Sequence, residues 1–346
     1  SIDKKVFYNY NNRNFVFKNK KILITGGTGS LGQALTKRLL SLDVDTIRIF
    51  SRNESKQIEM DSKFNDKRLR FFLGDVRDSE RLNRAFEDVD FVFHAAALKH
   101  VDKVEYNPFE AIKTNVIGSQ NVIDASLHEN VEKVICVGTD KAVSPLNTYG
   151  ATKLLMEKLF VTANNYINPK KHRTKFIALR YGNVLGSSGS VIPKFINQIS
   201  NNQTITITDP NMTRFSITMD EALDFILTAT KLGSGSEIFI PKIKAYSIVD
   251  IKNTLFDLLK KTDEKISGIR PGEKLHEVLI NSDEMKYAWE VGNVYVILNP
   301  LEKLNKQKRA YSKMKKIKNL GVYSSDNVEK LSKSELKNLI KKSGLL

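Results

Sequence analysis

A single cysteine, Cys136, among 346 residues excludes a disulfide framework and any zinc site built on paired thiolates. The five histidines, at 94, 100, 128, 172 and 276, are too scattered to suggest a metal cluster, and no metal is expected. No uninterrupted apolar run approaches the about 20 residues that a membrane span needs. The amino-terminal stretch SIDKKVFYNYNNRNF lacks the apolar core of a secretory signal. Acidic residues are in deficit, 39 Asp and Glu against 55 Lys and Arg, for a net charge of +16. What the chain does have is a 41% share of hydrophobic residues, enough for a packed core, which excludes wholesale disorder. The length suits one large domain or two interleaved ones, and the expectation is a soluble, cytoplasmic protein.

A basic balance of this size suits nucleic acid, an acidic membrane surface or a polyanionic small substrate. The cations are spread along the chain and are densest at 18–21 and 303–318. No zinc-finger spacing, RNA-recognition motif or basic zipper accompanies them. Solvated faces are therefore the expected reading, and no nucleic-acid partner is expected.

The first half alternates short β-branched runs with amphipathic stretches, as in βαβ units on a parallel sheet. Strands are expected at 21–25, 46–50, 70–73, 90–94, 133–138 and 176–180. A helix over 30–42 repeats Leu31, Leu35 and Leu39 at four-residue spacing. Their near-continuous apolar character indicates a sheet covered on both faces. After residue 180 glycines and prolines break the pattern, until a helix at about 219–232 and a strand at 237–240 return to the sheet. The fold class is α/β: a Rossmann-type doubly wound parallel sheet with a smaller α/β substrate-binding domain. The expected division assigns 19–182 to the dinucleotide domain, to which 216–245 returns. Residues 183–215 and 246–346 form the substrate domain, and 1–18 a peripheral leader.

Residues 25–32, Thr-Gly-Gly-Thr-Gly-Ser-Leu-Gly, follow the first strand and open a helix, the context a dinucleotide fingerprint requires. Gly26 and Gly29 permit a tight turn and close approach to a pyrophosphate at the helix amino terminus; Gly32 lets helix and strand pack closely. Gly27, Thr28, Ser30 and Leu31 complete the candidate loop. The second strand ends in Ser51-Arg52-Asn53-Glu54-Ser55-Lys56. A hydroxyl and a guanidinium suit a 2′-phosphate, which a leading carboxylate would repel, so NADP is expected. Asp75 and Val76 after the third strand and Ala95, Ala96 and Ala97 after the fourth are further candidates. His94 and Cys136 are expected to be structural.

The fifth strand ends in Thr139-Asp140-Lys141, and Tyr149 precedes Lys153 by four residues. That spacing puts phenol and ammonium on one helix face. The cation is expected to lower the phenol pKa and make Tyr149 a base, while Lys153 also holds the nicotinamide ribose.

This arrangement resembles the extended short-chain dehydrogenase/reductase superfamily over residues 20–300. The stretches HAAALKHV (94–101), KTNVIG (113–118), TDKAVSPLNTYGATK (139–153), RYGNVLGSSGSVIP (180–193), MTRF (212–215) and IRPGEKLHE (269–277) look like the inverting UDP-N-acetylglucosamine 4,6-dehydratases of the pseudaminic acid pathway type. The resemblance implies oxidation at carbon 4 with Tyr149 as base, then elimination across carbons 5 and 6. Lys141 would be the carbon-5 base, provided burial beside a cation such as Lys153 keeps its amine neutral, and Asp140 the acid at carbon 6. Hydride return to carbon 6 and protonation of carbon 5 from the opposite face would complete an inversion. It also implies Asn115, Tyr181, Asn183, Val184 and Lys99 near the cofactor. For the UDP-sugar it implies Lys99, Asn183, Ser188, Val191 and Thr208, Arg214 and Arg270 on the pyrophosphate, and Glu273 on the uridine ribose. Relatives of this kind are usually homo-oligomers. A retaining dehydratase, or a UDP-sugar epimerase or reductase of the same fold, is the alternative.

Overall fold

Runs such as Ile22-Leu23-Ile24 and Val134-Ile135-Cys136 expose no polar face, so they are stable only in a sheet with helices on both sides. The computed structural model shows that sheet; it describes residues 16–98, 100–187, 190–302, 311, 313–318 and 321–346. Six parallel strands come first: β1 (Lys21–Thr25), β2 (Thr46–Ser51), β3 (Leu69–Leu73), β4 (Phe91–His94), β5 (Lys133–Val137) and β6 (Lys175–Leu179). They lie in the order β3-β2-β1-β4-β5-β6, so the chain reverses direction across the sheet between β1 and β4. A crevice opens at such a switch point, above the carboxyl ends of the strands.

The helices that cover this sheet are α1 (Ser30–Leu40), α2 (Glu54–Phe64), α3 (Ser79–Ala85), the short α4 (Val101–Tyr106) and α5 (Pro108–Ala111), α6 (Gly118–His128) and α7 (Thr148–Ala163). A π-helical turn, Ile112–Ile117, joins α5 to α6. One apolar cluster fills each face of the sheet. Phe17, expected in a peripheral leader, is instead core: its ring is 5.4 Å from that of Phe91. Residues 1–15 lie outside the described residues.

Beyond β6 the chain forms α8 (Val191–Ser200), β7 (Ile205–Ile207), β8 (Thr213–Phe215) and α9 (Met219–Leu232), then β9 (Ile238–Pro241), which pairs parallel to β6. β10 (Ala245–Ser247), α10 (Ile248–Leu258), β11 (Glu264–Ile266) and β12 (Val278–Ile280) follow. β7 pairs with β11 and β8 with β10, and α8, α10 and a last helix α11 (Lys333–Lys342) pack around them on a third apolar cluster. This smaller lobe overhangs the carboxyl ends of β5 and β6. β13 (Ala288–Val291), β14 (Val294–Ile297) and β15 (Lys315–Lys316) do not join it, although the chain after 246 was expected to. They extend the large sheet antiparallel beyond β9, giving ten strands in all. Alternating runs such as Val-Tyr-Val-Ile fit either sheet, and only tertiary pairing decides. β16 (Tyr323–Ser324) pairs with β12.

Candidate active site

The chain leaves β1 through Gly26, whose φ of +64° lies in the left-handed region. A β-carbon there would stand 2.9 Å from the Ala96 backbone nitrogen, so the turn closes only with glycine. On the first turn of α1, a β-carbon at Gly32 would stand 2.5 Å from the Gly27 carbonyl oxygen, so the helix closes on the turn after β1 only with glycine there. Gly29 is the N-cap of α1 and supplies no side-chain bond, so the orphan amides of the first turn have no capping partner from the chain. A cavity of about 650 Å³ starts at this turn. Gly26, Thr28 and Gly29 line it, together with Ser51, Arg52, Asn53, Glu54 and Lys56 after β2, Asp75 and Val76 after β3, and Ala95, Ala96 and Ala97 after β4. A glycine turn, an uncapped helix terminus and a cavity of this size fit a dinucleotide. Thr114, on the π turn, also lines the cavity and was not foreseen. Such turns displace side chains by part of a helical step and favour functional sites, but nothing in the local sequence announces one.

Other fingerprint residues serve the frame rather than the cavity wall. Gly27 sits over Ile49, Ser30 is exposed at the start of α1, and Leu31 packs on the core. Asn115 is fully buried: its Oδ1 accepts from the Leu98 amide at 2.8 Å and its Nδ2 donates to Thr152 Oγ1 at 3.1 Å. It pins the loop after β4 to α7 and does not line the cavity. Tyr181, expected near the cofactor, is a core residue with its ring edge-on to Phe225. Lys99 and Ser188 lie outside the described residues. After β2, Arg52 is mostly exposed with Nη1 4.0 Å from an Asp75 oxygen, and the Ser51 hydroxyl accepts from Gln57 Nε2 at 3.0 Å.

The segment after β5 carries the reactive groups. Thr139 caps a short 3₁₀ turn, Asp140–Ala142: its hydroxyl accepts from the Lys141 amide and donates to Asp140 Oδ1 at 3.0 Å. Asp140 is 1% exposed, and both its oxygens accept from Lys141 Nζ at 2.9 Å. The first turn of α7 lies against this turn because residue 150 is glycine. A β-carbon there would meet the Lys141 carbonyl oxygen at 2.5 Å. Asn147 caps α7 by accepting from the Gly150 amide at 2.8 Å. Tyr149 and Lys153 thus stand, largely buried, beside Asp140 and Lys141.

The electrostatics correct two expectations. Burial disfavours the Lys141 ammonium, but the carboxylates of Asp140 and of Glu277, whose Oε1 is 3.7 Å away, outweigh it and hold Lys141 well above its ordinary value. Lys141 is the centre of a carboxylate cluster, not the neutral neighbour of Lys153. Burial likewise pushes the Tyr149 phenol up; the Lys141 charge opposes this and Asp140 adds to it. Lys153 lies against the Tyr149 ring, Nζ 5.8 Å from its centre.

A second cavity, about 630 Å³, opens between this turn and the smaller lobe. Asp140 and Lys141 line it, together with Asn183, Val184, Val191, Thr208, Arg214, Arg270 and Glu273. Val184, expected on the cofactor, faces this cavity instead. Arg214 donates to the carbonyls of Thr213, Lys274 and Leu275, and Lys274 donates to that of Val143, so both cations tie the 270–277 strap in place. Arg270 leaves its side chain exposed, and Glu273 accepts from the Arg270 amide at 3.3 Å.

Two charged residues went unassigned in the sequence. Arg180, fully buried, donates to both Glu157 and Glu284 and to the Leu279 carbonyl, bolting β6 to α7 and to the segment after β12. Glu277, 3% exposed, lines the second cavity. His94 and Cys136 are structural as expected: the His94 ring bonds Thr25 and Ser119, and burial pushes the Cys136 thiol up. No group of His, Cys, Asp and Glu able to hold a metal ion occurs among the described residues, and none of their helices is long and apolar enough to cross a membrane. Of the basic 303–318 stretch, Lys316 donates to the Met285 and Ala288 carbonyls, while 303–310 and 312 lie outside the described residues.

The family of polysaccharide biosynthesis proteins matches residues 22–299. A UDP-N-acetylglucosamine 4,6-dehydratase (inverting) of Campylobacter jejuni is 49% identical over 320 residues, 90% of this chain and 94% of its own length. A UDP-glucose 4-epimerase of Rickettsia bellii is 43% identical over 94% of this chain and 96% of its own. Among solved structures, Pen from Bacillus thuringiensis superposes with a TM-score of 0.86 at 40% identity, over 95% of this chain and 99% of that one. The chain belongs to the polysaccharide biosynthesis protein family, built on the short-chain dehydrogenase/reductase fold.

Proposed function

We propose that the chain dehydrates UDP-N-acetylglucosamine to the UDP-2-acetamido-2,6-dideoxy-hexos-4-ulose with inversion at carbon 5, using NADP as a resident cofactor. The observation that carries this reading is the Asp140–Lys141 pair lining the second cavity beside the Tyr149 helix. A simple epimerase or reductase needs the tyrosine and Lys153 but has no use for an acid–base pair in the sugar cavity. Bound in the first cavity, a nicotinamide dinucleotide supplies hydride acceptance from carbon 4 and hydride donation to carbon 6. Arg52 and Lys56 at the ribose end support a 2′-phosphate and hence NADP.

The residues divide the remaining work by their positions. Tyr149 takes the carbon-4 hydroxyl proton, with the Lys141 charge favouring the phenolate. The ketone acidifies carbon 5. Asp140, bonded to Lys141 through both oxygens, takes the ammonium proton and passes it to the departing carbon-6 hydroxyl, which leaves as water, while the Lys141 amine so freed removes the carbon-5 proton. A solvent-derived proton delivered to carbon 5 from the opposite face, after hydride return to carbon 6, completes the inversion. Arg270, with its side chain exposed in the same cavity, suits the pyrophosphate.

The test is purified protein with UDP-N-acetylglucosamine in D₂O, followed by proton NMR. A 6-deoxy-4-keto sugar with deuterium at carbon 5 and couplings of the inverted configuration is expected. Retained configuration would remove the role given to Lys141. A UDP-sugar changed only at carbon 4 would favour the epimerase reading, to which the Rickettsia relative lends support.

A further inference from the structure

The helix that carries Tyr149 has a cap of its own and is nevertheless gripped by a second helix. The first four amides of any α-helix have no acceptor within it. Asn147, the N-cap of α7, meets one of them by accepting from the Gly150 amide at 2.8 Å. The two amides before it, on Thr148 and Tyr149, turn instead to Glu105 of α4, 43 and 44 positions earlier in the chain. Glu105 Oε1 accepts from the Thr148 amide at 2.5 Å and from the Tyr149 amide at 3.4 Å. Its Oε2 accepts from the Thr148 hydroxyl at 3.2 Å. A carboxylate placed there also meets the positive end of the α7 dipole.

The same short helix packs the phenol ring. Val104, 1% exposed, joins Ala111 and Tyr149 in a small apolar cluster, with Leu98 and Val101 against it. In the first turn of α4, Val101 and Asp102 line the second cavity. A helix of six residues is not stable by itself in water, so α4 draws its order from these contacts.

We propose that Glu105 is a positioning residue for Tyr149: it latches α4 to the first turn of α7 and so fixes the phenol that acts at carbon 4. This rests on the reading of Tyr149 as the carbon-4 base. Stability alone does not call for the latch, because α7 is 16 residues long and Asn147 already caps it. What Glu105 adds is place. The backbone of the reacting residue is tied, through one carboxylate, to the helix whose first turn lines the second cavity. Displacing a reacting group by about 1 Å costs on the order of 10²-fold in rate, so the latch acts on turnover without touching substrate.

In Glu105→Ala the two amides lose their acceptor and the first turn of α7 is released from α4. Single-turnover mixing of the NADP-loaded enzyme with UDP-N-acetylglucosamine follows carbon-4 oxidation directly, as reduced-nicotinamide absorbance. That rate should fall by about 10- to 10²-fold, while the KM for the UDP-sugar and the dinucleotide affinity hold. Glu105→Gln keeps an oxygen for the amides and should restore most of the rate. A merely structural latch would lower stability to urea and leave the oxidation rate of the folded enzyme unchanged. That outcome would overturn the proposal, as would a loss confined to KM or one that glutamine does not restore. Hydrogen exchange read by mass spectrometry gives a measure that needs no turnover. Exchange at Thr148 and Tyr149 should quicken in Glu105→Ala while the body of α7 stays protected, and unaltered exchange would equally overturn the inference. If wild-type enzyme reduces its nicotinamide but forms no 6-deoxy-4-keto sugar, the proposed dehydration fails and the Glu105 test still stands. If it does not turn over at all, exchange judges the latch by itself.

Discussion

Tyr149 is a phenol that burial pushes up, outweighing the nearby Lys141 charge. The base role proposed for it therefore depends on the cations around it, and removing the hydroxyl should slow carbon-4 oxidation. Tyr149→Phe is expected to lower kcat by about 10²–10⁴-fold while UDP and dinucleotide affinities hold; steady-state rates and fluorescence titration check both. At this scale the fingerprint glycines, the Tyr149–Lys153 pair and Asp140–Lys141 were legible because each is a short-range pattern tied to a strand end. Glu277 and Arg180 were not. Glu277 meets Phe215 from 62 positions away and Arg180 meets Glu284 from 104. No local spacing encodes such pairs. The titration of Lys141 and Tyr149 differs from the expectation because it turns on burial and on the desolvated Asp140 charge, with Glu277 adding to Lys141 alone, and burial is not encoded in local spacing.

Elements of strong periodicity were legible nearly to the residue: all six parallel strands fall where the β-branched runs predict, and α9 spans Met219–Leu232 as expected. α1 ends at Leu40 rather than 42, where the chain turns through Ser41. The π turn and the antiparallel pair β13–β14 were not legible, since both depend on what they pack against. The βα junction at α1 yields the sharpest test. Gly32→Ala places a methyl against the Gly27 carbonyl and must push α1 away from the glycine turn. A loss of about 1–3 kcal/mol in stability is expected, with a larger proportional loss of dinucleotide affinity. Urea denaturation and cofactor titration separate the two, and an unchanged cofactor affinity would contradict the cradle.

Across the whole molecule, two buried titratable groups give stability opposite slopes with pH. Glu237 sits at the start of β9, where the Tyr311 hydroxyl donates to it, and burial pushes its carboxyl from 4.5 up to about 7. An acid raised on folding holds its proton more firmly in the native state, so the stability present below pH 4.5 is lost as pH climbs through 7. Burial, aided by Lys153, pushes His94 from 6.5 down to about 3, so its contribution is present above 6.5 and is lost as pH falls toward 3. Between 4.5 and 6.5 the two oppose each other. Glu237→Gln should remove the alkaline loss, leaving the variant more stable than wild type above neutrality by on the order of 3 kcal/mol. Chemical denaturation across pH measures it, and coincident curves would show that Glu237 ionises freely in the fold.

The strap over 270–277 borders the second cavity and is tied down by Arg214 and Lys274. A loop that ordered only around its ligand would charge its conformational entropy against affinity and slow the encounter. This one has met that cost during folding. Recognition of the proposed UDP-sugar is accordingly a docking between two prepared surfaces. The association rate should then follow electrostatic attraction of the pyrophosphate to a basic mouth and fall as salt rises, instead of waiting on a closing lid.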